Sequence, residues 1–385
     1  MIKAIWSLPL GLLLISCSSG TEKNSGTSVD PSEPRSEGEE EVFFYGADLS
    51  YVNEMEDCGA VYYNEEDEQL DAFRIFADAG ANLVRLRLWH DPSWGSYSNF
   101  SDVRKAISRA RATDQKVLLD FHYSDTWADP ERQLIPKAWR THVDDVEVLG
   151  DSVYQYTFKT LEKLGEKGLL PAMVQVGNET NAMILQDEME EGPIDWSRNA
   201  YLFNKGIKAV RDISAAYEQE IGIMLHIAQP ENALWWFRDA VENGITDFDW
   251  LGISYYPLWS EYPLEDLDTA IKALKASYNK KIMVVETAYP FTLENFDNAN
   301  NILDEEALLP GYPATPKGQY DYLVGLAEII KASGGSGLVY WEPAWVSTTC
   351  NTQWGQGSHW DNATMFDQDG KAHEGIRFFS GAKKE

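Results

Sequence analysis

Short apolar runs recur along the chain from about residue 42, and each is followed by a longer stretch whose apolar side chains lie at helical spacing. Most of the runs are continuous rather than alternating, which is typical of parallel strands covered on both faces. Eight strands are predicted on this basis: Val42–Ala47, Asn82–Leu88, Lys116–Phe121, Ala172–Val176, Ile221–His226, Trp250–Ser254, Lys281–Val285 and Gly337–Trp341.

Helical patterns separate these strands. They are predicted over Glu65–Ala79, Ser101–Thr113, Ser152–Gly165, Asp195–Glu218, Glu231–Glu242, Leu264–Ser277 and Pro316–Ser333. Strands alternating with helices favour an α/β fold of the (β/α)₈ barrel type over a doubly wound sheet, and 385 residues suit one such domain. In these barrels the chemistry lies at the carboxyl ends of the strands, so the residues there are the candidates for function.

The first 41 residues do not fit this pattern. Lys3 precedes an apolar run from Ile5 to Ile15, which is too short for a membrane span and predicts a signal peptide over residues 1–16. The run ends in Leu14-Ile15-Ser16-Cys17, which resembles a bacterial lipobox, so Cys17 is the predicted lipidation site; an ordinary signal peptide with a chance cysteine is the alternative. Residues 17–41 are rich in Ser, Gly, Thr, Pro and Glu, which predicts an acidic flexible linker before a catalytic domain at 42–385.

Charge and cysteine count narrow the possible partners. The chain has 32 Lys and Arg against 62 Asp and Glu, a formal net charge of -30, which disfavours nucleic acid and acidic polysaccharides but not a neutral glycan. The 14 Trp suit stacking against sugar rings, although about half of them are expected in the core. Of the 3 Cys, Cys58 and Cys350 follow the first and last predicted strands, which are neighbours in a closed barrel, so a disulfide between them is predicted.

Polar or aromatic side chains follow nearly every predicted strand. The candidates are Asp48, Arg87, His122, Asp125, Trp127, Asn178, Glu179, Tyr256, Glu286, Trp341 and Trp345. Glu179 and Glu286 end strands on opposite sides of the barrel, and glycoside hydrolysis needs such a pair of carboxylates. A separation of about 5–5.5 Å predicts retention of anomeric configuration, and about 6.5–9.5 Å predicts inversion.

The neighbouring groups suggest roles around this pair. Arg87 is expected to face the barrel interior beside Glu286 and keep that carboxylate ionised, and Tyr256 could donate a hydrogen bond to it. Asn178 could reach a sugar 2-hydroxyl. His122 and His226 are either pocket residues or rim histidines whose hydrogen bonds are satisfied. The six His are dispersed without HExxH-like spacing, so no catalytic zinc is expected.

Taken together, these motifs resemble glycoside hydrolase family 53, the arabinogalactan endo-β-1,4-galactanases, within the retaining (β/α)₈ glycosidases. The resemblance spans about Gly46 to Asp367 and is carried by Gly46-Ala47-Asp48-Leu49-Ser50, Arg85-Leu86-Arg87-Leu88-Trp89, the run from Leu119 to Pro130, Gln175-Val176-Gly177-Asn178-Glu179, Ser254-Tyr255-Tyr256-Pro257, Val284-Val285-Glu286-Thr287 and Tyr340-Trp341-Glu342-Pro343-Ala344-Trp345. It implies Glu179 as acid/base, Glu286 as nucleophile and β-1,4-galactan, a neutral plant polysaccharide, as substrate.

The resemblance also implies a structural calcium ion that ties the loops after strands 7 and 8 together. The predicted ligands are Asp297, Asn298, Asn300, Ser358 and Asp361, since oxygen-rich side chains suit calcium.

Two stretches depart from the family pattern. After Glu179 the usual Trp-Pro is missing, and His226-Ile227-Ala228-Gln229-Pro230 stands where an Asp-Asp pair is more usual.

Two other hypotheses remain at this point: a retaining endo-hydrolase of another neutral β-glycan, such as mannan or glucan, and a non-catalytic surface glycan-binding lipoprotein. The aromatic residues of the sugar-binding subsites would distinguish the first of these hypotheses from a galactanase. The candidates are Trp94, Trp127, Trp139, Trp341 and Trp345. The presence of both Glu179 and Glu286 argues against the second.

The protein is expected to be a monomer, anchored in the outer membrane and facing the cell surface; Ser18 after Cys17 fits that sorting.

Overall fold

The computed structural model describes residues 42–189 and 192–383, the last two by their backbone alone. The predicted signal peptide, Cys17 and the linker 17–41 lie outside these residues. The described chain forms a closed barrel of eight parallel strands. The strands are β1 (Phe44–Asp48), β2 (Leu83–Leu88), β3 (Lys116–Phe121), β4 (Met173–Val176), β5 (Gly222–Ala228), β6 (Trp250–Ser254), β7 (Lys281–Thr287) and β8 (Gly337–Tyr340). The barrel closes where β1 pairs with β8, with Phe44 opposite Gly337. The predicted (β/α)₈ fold is confirmed.

Helices connect successive strands. They are α1 (Val52–Asp57), α2 (Ala72–Ala79), α3 (Phe100–Ala112), α4 (Val146–Gly165), α5 (Trp196–Ala216), α6 (Pro230–Glu242), α7 (Leu267–Tyr278) and α8 (Pro316–Ala332). A two-stranded hairpin, β9 (Asn351–Thr352) and β10 (Gly355–Gln356), follows β8. None of the helices in the described part of the chain is long and apolar enough to cross a bilayer.

Local side-chain hydrogen bonds explain where the helices differ from the sequence prediction. The helix predicted from Glu65 begins only at Ala72, because Asn64 Oδ1 accepts from the backbone N–H groups of Glu66 and Glu68 and so holds this stretch in a turn. Helix α4 begins six residues before the predicted Ser152, because the Asp145 carboxylate caps it by accepting from Val148 N–H. Helix α1 was not predicted.

The apolar core has two layers. The larger layer packs the helices against the outside of the barrel. The smaller fills the barrel interior near the amino ends of the strands; every strand contributes to it and no helix does. Its members are Phe44, Leu83, Leu118, Met173, Met224, Trp250, Met283, Val285 and Val339. Because side chains alternate along a strand, the next inward positions on β2 to β5 are polar, namely Arg85, Asp120, Gln175 and His226, and they form the floor of the candidate site.

A disulfide joins Cys58, directly after α1, to Cys350, just before β9, with their Cα atoms 5.6 Å apart. It connects the loops that follow β1 and β8, the two strands where the barrel closes. The hairpin that carries Trp354 is therefore covalently held beside the first βα loop.

Candidate active site

One arginine occupies the centre of the barrel above the apolar layer. Arg85 on β2 is buried, and its Nη1 lies 3.0 Å from carboxylate oxygens of both Asp48 and Glu286. Its Nη2 donates to Asp120 at 2.9 Å and to the amide oxygen of Asn178 at 2.6 Å. Arg85 thus fixes four strand-end side chains at once, with charge-assisted hydrogen bonds that are strong in a buried setting.

Arg87 does not lie beside Glu286, so that sequence expectation is wrong. Its guanidinium pairs at 3.0 Å with Glu342, a buried residue that follows β8. Alternation places both Arg85 and Arg87 inward but does not give their depth, and the deeper Arg85 takes the central position. The Arg87 guanidinium instead lies over three aromatic rings, at 4.7, 4.8 and 4.1 Å from the centroids of Tyr51, Trp89 and Trp127.

An irregularity in β7 turns Glu286 into the site. Met283 and Val285 both belong to the apolar cluster inside the barrel, so strict alternation would point Glu286 outward. The pairing of β6 with β7 shifts register here, and Ser254 pairs with Glu286 where regular pairing would place Val285 opposite it. Such bulges re-aim side chains near active sites.

Glu286 is held from two sides. Its Oε2 accepts from Arg85 at 3.0 Å and its Oε1 from the Tyr256 hydroxyl at 3.1 Å, the contact expected from the sequence. Burial raises the pKa of Glu286 to about 7, against the opposing effect of the Arg85 guanidinium. The carboxylate is therefore buried but matched with donors for its ionised form.

Glu179 follows β4 in a backbone conformation with φ of 41°, in the left-handed region that L-residues rarely adopt. Its Oε1 lies 2.5 Å from Ser254 Oγ, which in turn lies 2.8 Å from His226 Nε2. Burial, and after it the nearby Glu286 carboxylate, raises the pKa of Glu179 well above its usual range. The two carboxyl groups therefore have different environments, one favouring a proton and the other favouring a charge.

Glu179, Glu286 and His226 converge on one point. One oxygen of each carboxylate and one ring nitrogen of His226 all lie within 4.8 Å of one another. Both His226 nitrogens already have protein neighbours at hydrogen-bond distance, Ser254 Oγ on one side and the Asn178 amide oxygen on the other. The imidazole is thus engaged by the protein, and the two carboxylates are the groups left to act on a ligand.

A row of indole rings, here called the aromatic wall, leads from the β9–β10 hairpin to Glu286. It consists of Trp354, Trp127, Trp341 and Trp360, with successive ring centroids 6.5, 6.0 and 4.6 Å apart. Trp360 then lies 6.1 Å from the ring of Tyr256, which donates to Glu286. Trp354 is 40% exposed, so the wall runs from solvent to the carboxylate pair.

The other candidate side chains are engaged by the protein. His122 is buried, with Nε2 3.0 Å from Asp120 and Nδ1 accepting from Ala128 N–H. Asp125 accepts from the backbone N–H groups of Asp91 and Lys137 and so joins three loop segments. Trp345 is buried and stacks on Tyr51 at 4.1 Å. These residues shape the walls of the site rather than its open surface.

The family model described as glycosyl hydrolase family 53 matches residues 44–379, nearly the whole described chain. The chain belongs to glycosyl hydrolase family 53. It is 56% identical over 327 residues to the arabinogalactan endo-beta-1,4-galactanase of Cellvibrio japonicus, covering 84% of this chain and 86% of that protein. It is 36% identical to the endo-beta-1,4-galactanase of Bacillus subtilis, covering 82% and 73% of the two chains.

Solved structures of this family share the fold. The family 53 catalytic domain of Ignisphaera aggregans superposes with a TM-score of 0.80 at 30% identity, over 91% of this chain and 97% of that one. A structure from a study of two fungal beta-1,4-galactanases superposes with a TM-score of 0.75 at 31% identity, over 88% and 99%.

An oxygen-rich side-chain cluster lies between the loops after β7 and β8 of this family 53 barrel, and its two carboxylates also accept from backbone N–H groups. Ser347 Oγ lies 2.6 Å from a carboxylate oxygen of both Asp297 and Asp361, although one hydroxyl hydrogen can serve only one of them. No Lys or Arg of the described chain forms an ion pair with either carboxylate. Asn301 donates to Asp361, and its own Oδ1 is buried without a hydrogen-bond partner among the described residues.

This cluster only partly matches the predicted calcium ligands. Asp297 and Asp361 come together, and Ser358 N–H donates to Asp297 at 2.8 Å. The side chains of Asn298 and Asn300 are exposed. The structure adds Ser347 and Asn301, which were not among the predicted ligands. Two facing carboxylates, an unpartnered amide oxygen and no local cation fit a hard divalent cation.

Several site residues were not found from the sequence. Arg85 could have been found, since it shares the inward parity of Arg87. Glu342 lies two residues after the end of β8 and carries a charge, which was a usable signal. Ser254 and Trp354 had none, because a serine at a strand end and a tryptophan in a turn-rich loop are both common without function.

Proposed function

We propose that this protein cleaves internal β-1,4-galactosidic bonds of galactan, the polysaccharide of type I arabinogalactan, with retention of anomeric configuration. The observation that carries the mechanism is the position of Glu179 and Glu286, whose nearest oxygens lie within 4.8 Å. Retaining enzymes hold their carboxyl groups about 5–5.5 Å apart, whereas inverting enzymes need about 6.5–9.5 Å to admit a water molecule. The activity itself is that of the family 53 galactanases to which the chain is similar.

The first half of the reaction uses both carboxyl groups at once. Glu286, ionised beside Arg85 and Tyr256, attacks the anomeric carbon. The bond from that carbon to the glycosidic oxygen breaks, and the proton of Glu179 passes to the departing oxygen. The product is a galactosyl ester on Glu286 and a shortened chain with a new free hydroxyl.

The second half reverses the role of Glu179. Now a carboxylate, Glu179 takes a proton from a water molecule, whose oxygen attacks the anomeric carbon. The ester bond to Glu286 breaks, and the galactan product leaves with its original anomeric configuration. Both glutamates return to their starting protonation states.

The aromatic wall supports a neutral sugar chain as substrate. Indole faces stack against the C–H faces of sugar rings. Exposed Trp354 and half-buried Trp127 and Trp341 offer such surfaces, whereas Trp360 is buried between Trp341 and Tyr256. The net charge of -30 would repel an acidic polymer but does not affect a neutral one.

The test measures reducing-sugar release from unbranched β-1,4-galactan, β-mannan and β-glucan by residues 42–385. Galactan alone is expected to be cleaved, and Glu286→Gln is expected to abolish cleavage. Glu220→Gln, an exposed glutamate before β5 at the opposite end of the barrel, is the matched control. Cleavage of mannan or glucan instead would overturn the substrate assignment, and no cleavage by the folded protein would favour a glycan-binding role.

We also propose that the Asp297–Asp361 cluster holds a calcium ion. Asp297, Asp361, Asn301 and Ser347 would supply its oxygen ligands, and the ion would join the loops after β7 and β8 by neutralising two facing carboxylates. The ion would have no part in bond cleavage. Calcium is expected to raise the melting temperature of the wild type and not of Asp361→Asn, measured with and without chelator; an equal rise in both would overturn the assignment.

A third proposal concerns the amino-terminal sequence. We propose that residues 1–16 are removed, that Cys17 is lipidated, and that residues 17–41 tether a monomeric catalytic domain to the outer membrane, at the cell surface. The support is the sequence Leu14-Ile15-Ser16-Cys17 after a short apolar run. Labelling of the full chain with a radioactive fatty acid in a Gram-negative host is expected, and Cys17→Ala should lose it. Label retained in the variant would refute the assignment.

A further inference from the structure

A chain of hydrogen-bonding groups runs from Glu179 into the barrel wall. Glu179 Oε1 lies 2.5 Å from Ser254 Oγ, and Ser254 Oγ lies 2.8 Å from His226 Nε2. On the far side of the ring, His226 Nδ1 lies 2.9 Å from the amide oxygen of Asn178. Ser254 and His226 are fully buried, so no solvent water competes for these contacts.

Counting hydrogens shows that this chain has only two consistent states. Burial, with the Arg85 charge second, holds the pKa of His226 well below its usual value, so the ring is neutral and carries one N–H. The Ser254 hydroxyl also has one hydrogen, which serves either His226 or Glu179. If it serves His226, Glu179 must be protonated and donate to Ser254. If it serves Glu179, the contacting oxygen Oε1 carries no proton and His226 Nε2–H donates to Ser254.

Asn178 decides between the two states. Its Nδ2 donates to the backbone carbonyl of Ala128 at 2.7 Å, and its Oδ1 accepts from Arg85 at 2.6 Å, so the amide cannot be turned over without losing both bonds. Its oxygen therefore faces His226 Nδ1 at 2.9 Å. Two lone pairs 2.9 Å apart would repel, whereas the Glu179 backbone N–H approaches the same nitrogen only at 3.4 Å, so the shorter contact favours the hydrogen of His226 on Nδ1.

Gln175 does not reverse this choice. Its Nε2 lies 3.1 Å from His226 Nδ1, but its two hydrogens have other acceptors: Asp120 Oδ1 at 2.7 Å, and the Gly177 carbonyl and the Asn178 amide oxygen, both at 3.1 Å. Its orientation is set by Asp120, which needs a donor, and by Arg85, which donates to the Gln175 side-chain oxygen at 3.3 Å.

We propose that Ser254 and His226 are positioning residues that hold the acid proton on Glu179, because the chain Glu179–Ser254–His226–Asn178 donates inward along its whole length. The proposal rests on the function proposed above, in which Glu179 is the general acid. Ser254 is then an acceptor for the neutral acid rather than a donor to the carboxylate. Asn178, expected from sequence to bind sugar, sets the direction of the chain.

Other charged groups also act on this chain. Glu286 from β7 and Asp129 from the loop after β3 favour the protonated form of Glu179, whereas Arg85 from β2 favours its ionised form. Arg85 and His122 face His226 as well. None of these groups bonds to Ser254, so changing Ser254 isolates the effect of the chain.

The first test is the tautomer of His226, read by NMR of protein carrying ¹⁵N-histidine at a pH where the enzyme is active. With 6 His in the sequence, the signal of His226 is assigned as the one most displaced in Ser254→Thr. The proposal expects the proton on Nδ1. A proton on Nε2 would overturn it, and this measurement needs neither a substrate nor a severe variant.

The second test is the pH profile of kcat/KM on galactan. Its alkaline limb reports loss of the proton from Glu179. Ser254→Ala removes an acceptor of that proton, so the limb is expected to move to lower pH by about one unit, a tenfold change in acidity. Ser254→Thr keeps the hydroxyl and should restore the limb.

The outcomes separate the two proposals. An alkaline limb that moves to higher pH in Ser254→Ala would mean that Ser254 donates to the carboxylate. A lower kcat with an unmoved limb would mean that Ser254 has a purely structural role. Either result would refute the proposed direction of the hydrogen-bond chain. Absence of galactan hydrolysis by the folded wild type would refute the proposed function instead, and the NMR result would still stand.

Discussion

The hydroxyl of Tyr256 is the clearest place to test how Glu286 is kept ionised. It donates to Glu286 Oε1 at 3.1 Å, and the only other donor to this carboxylate among the described side chains is Arg85, at Oε2. Tyr256→Phe removes that donor without changing the shape of the ring. The carboxylate is then less stabilised, so the pKa of Glu286 must rise from its value of about 7.

The size of the effect follows from the strength of the bond. A hydrogen bond to a charged group contributes about 1.5–3 kcal/mol, and 1.36 kcal/mol corresponds to one pH unit, so the rise is about 1–2 units. Glu286 must be ionised to attack, so activity exists above its pKa and is lost as pH falls through it. The acidic limb of kcat/KM is therefore expected to move to higher pH by the same amount.

The assay is the pH dependence of kcat/KM on galactan for wild type and variant, with circular dichroism to confirm folding. The matched control is Tyr255→Phe, the neighbouring tyrosine, whose hydroxyl donates to the backbone carbonyl of Tyr262 at 3.1 Å and touches neither carboxylate. An acidic limb that stays in place in folded Tyr256→Phe, or that moves equally in both variants, would refute this reasoning.

Three further results are expected. Glu179→Ala should hydrolyse galactan at least about a hundredfold more slowly, the usual contribution of a general acid, yet still react with an aryl galactoside whose leaving group needs no proton; equal losses on both substrates would argue against its role. Replacing Cys58 and Cys350 by Ala should lower the free energy of unfolding by up to about 5 kcal/mol, because the bridge spans 292 residues; an unchanged urea midpoint would contradict this. Trp354→Ala should raise KM for long galactan about two- to tenfold, the value of one aromatic contact, and leave kcat unchanged; an unaltered KM would remove Trp354 from the substrate path.

The sequence predicted the barrel because a parallel strand that is buried on both faces reads as a continuous apolar run. All eight predicted strands match observed strands to within two residues at either end. Helix starts were harder, because they depend on single side-chain bonds such as that from Asp145 to Val148 N–H. A side chain that competes locally for the backbone, like Asn64, has no periodic pattern.

The rule that function lies at the carboxyl ends of the strands identified most of the site residues. It does not give how deep in the barrel a side chain lies or which way its hydrogen bonds point. The placement of Arg85 rather than Arg87 beside Glu286 depends on how far each position lies along the barrel axis, which the alternation of side chains does not encode. Glu286 itself would face outward in a regular strand, and the register shift opposite Ser254 that turns it inward has no mark in the residues around it. The direction of hydrogen bonds around His226 likewise requires atoms, not residue types.

The link between Cys58 and Cys350 also changes how the enzyme withstands proteases. Every loop between these two residues, including all those around the catalytic glutamates, lies within one covalent ring of chain. A single cut in any of these loops opens the ring but leaves both pieces joined through sulfur, while the paired strands still hold the barrel closed. A nicked molecule therefore runs as one species on a gel until the disulfide is reduced, and the two fragments stay together after a cut that would separate an unlinked chain.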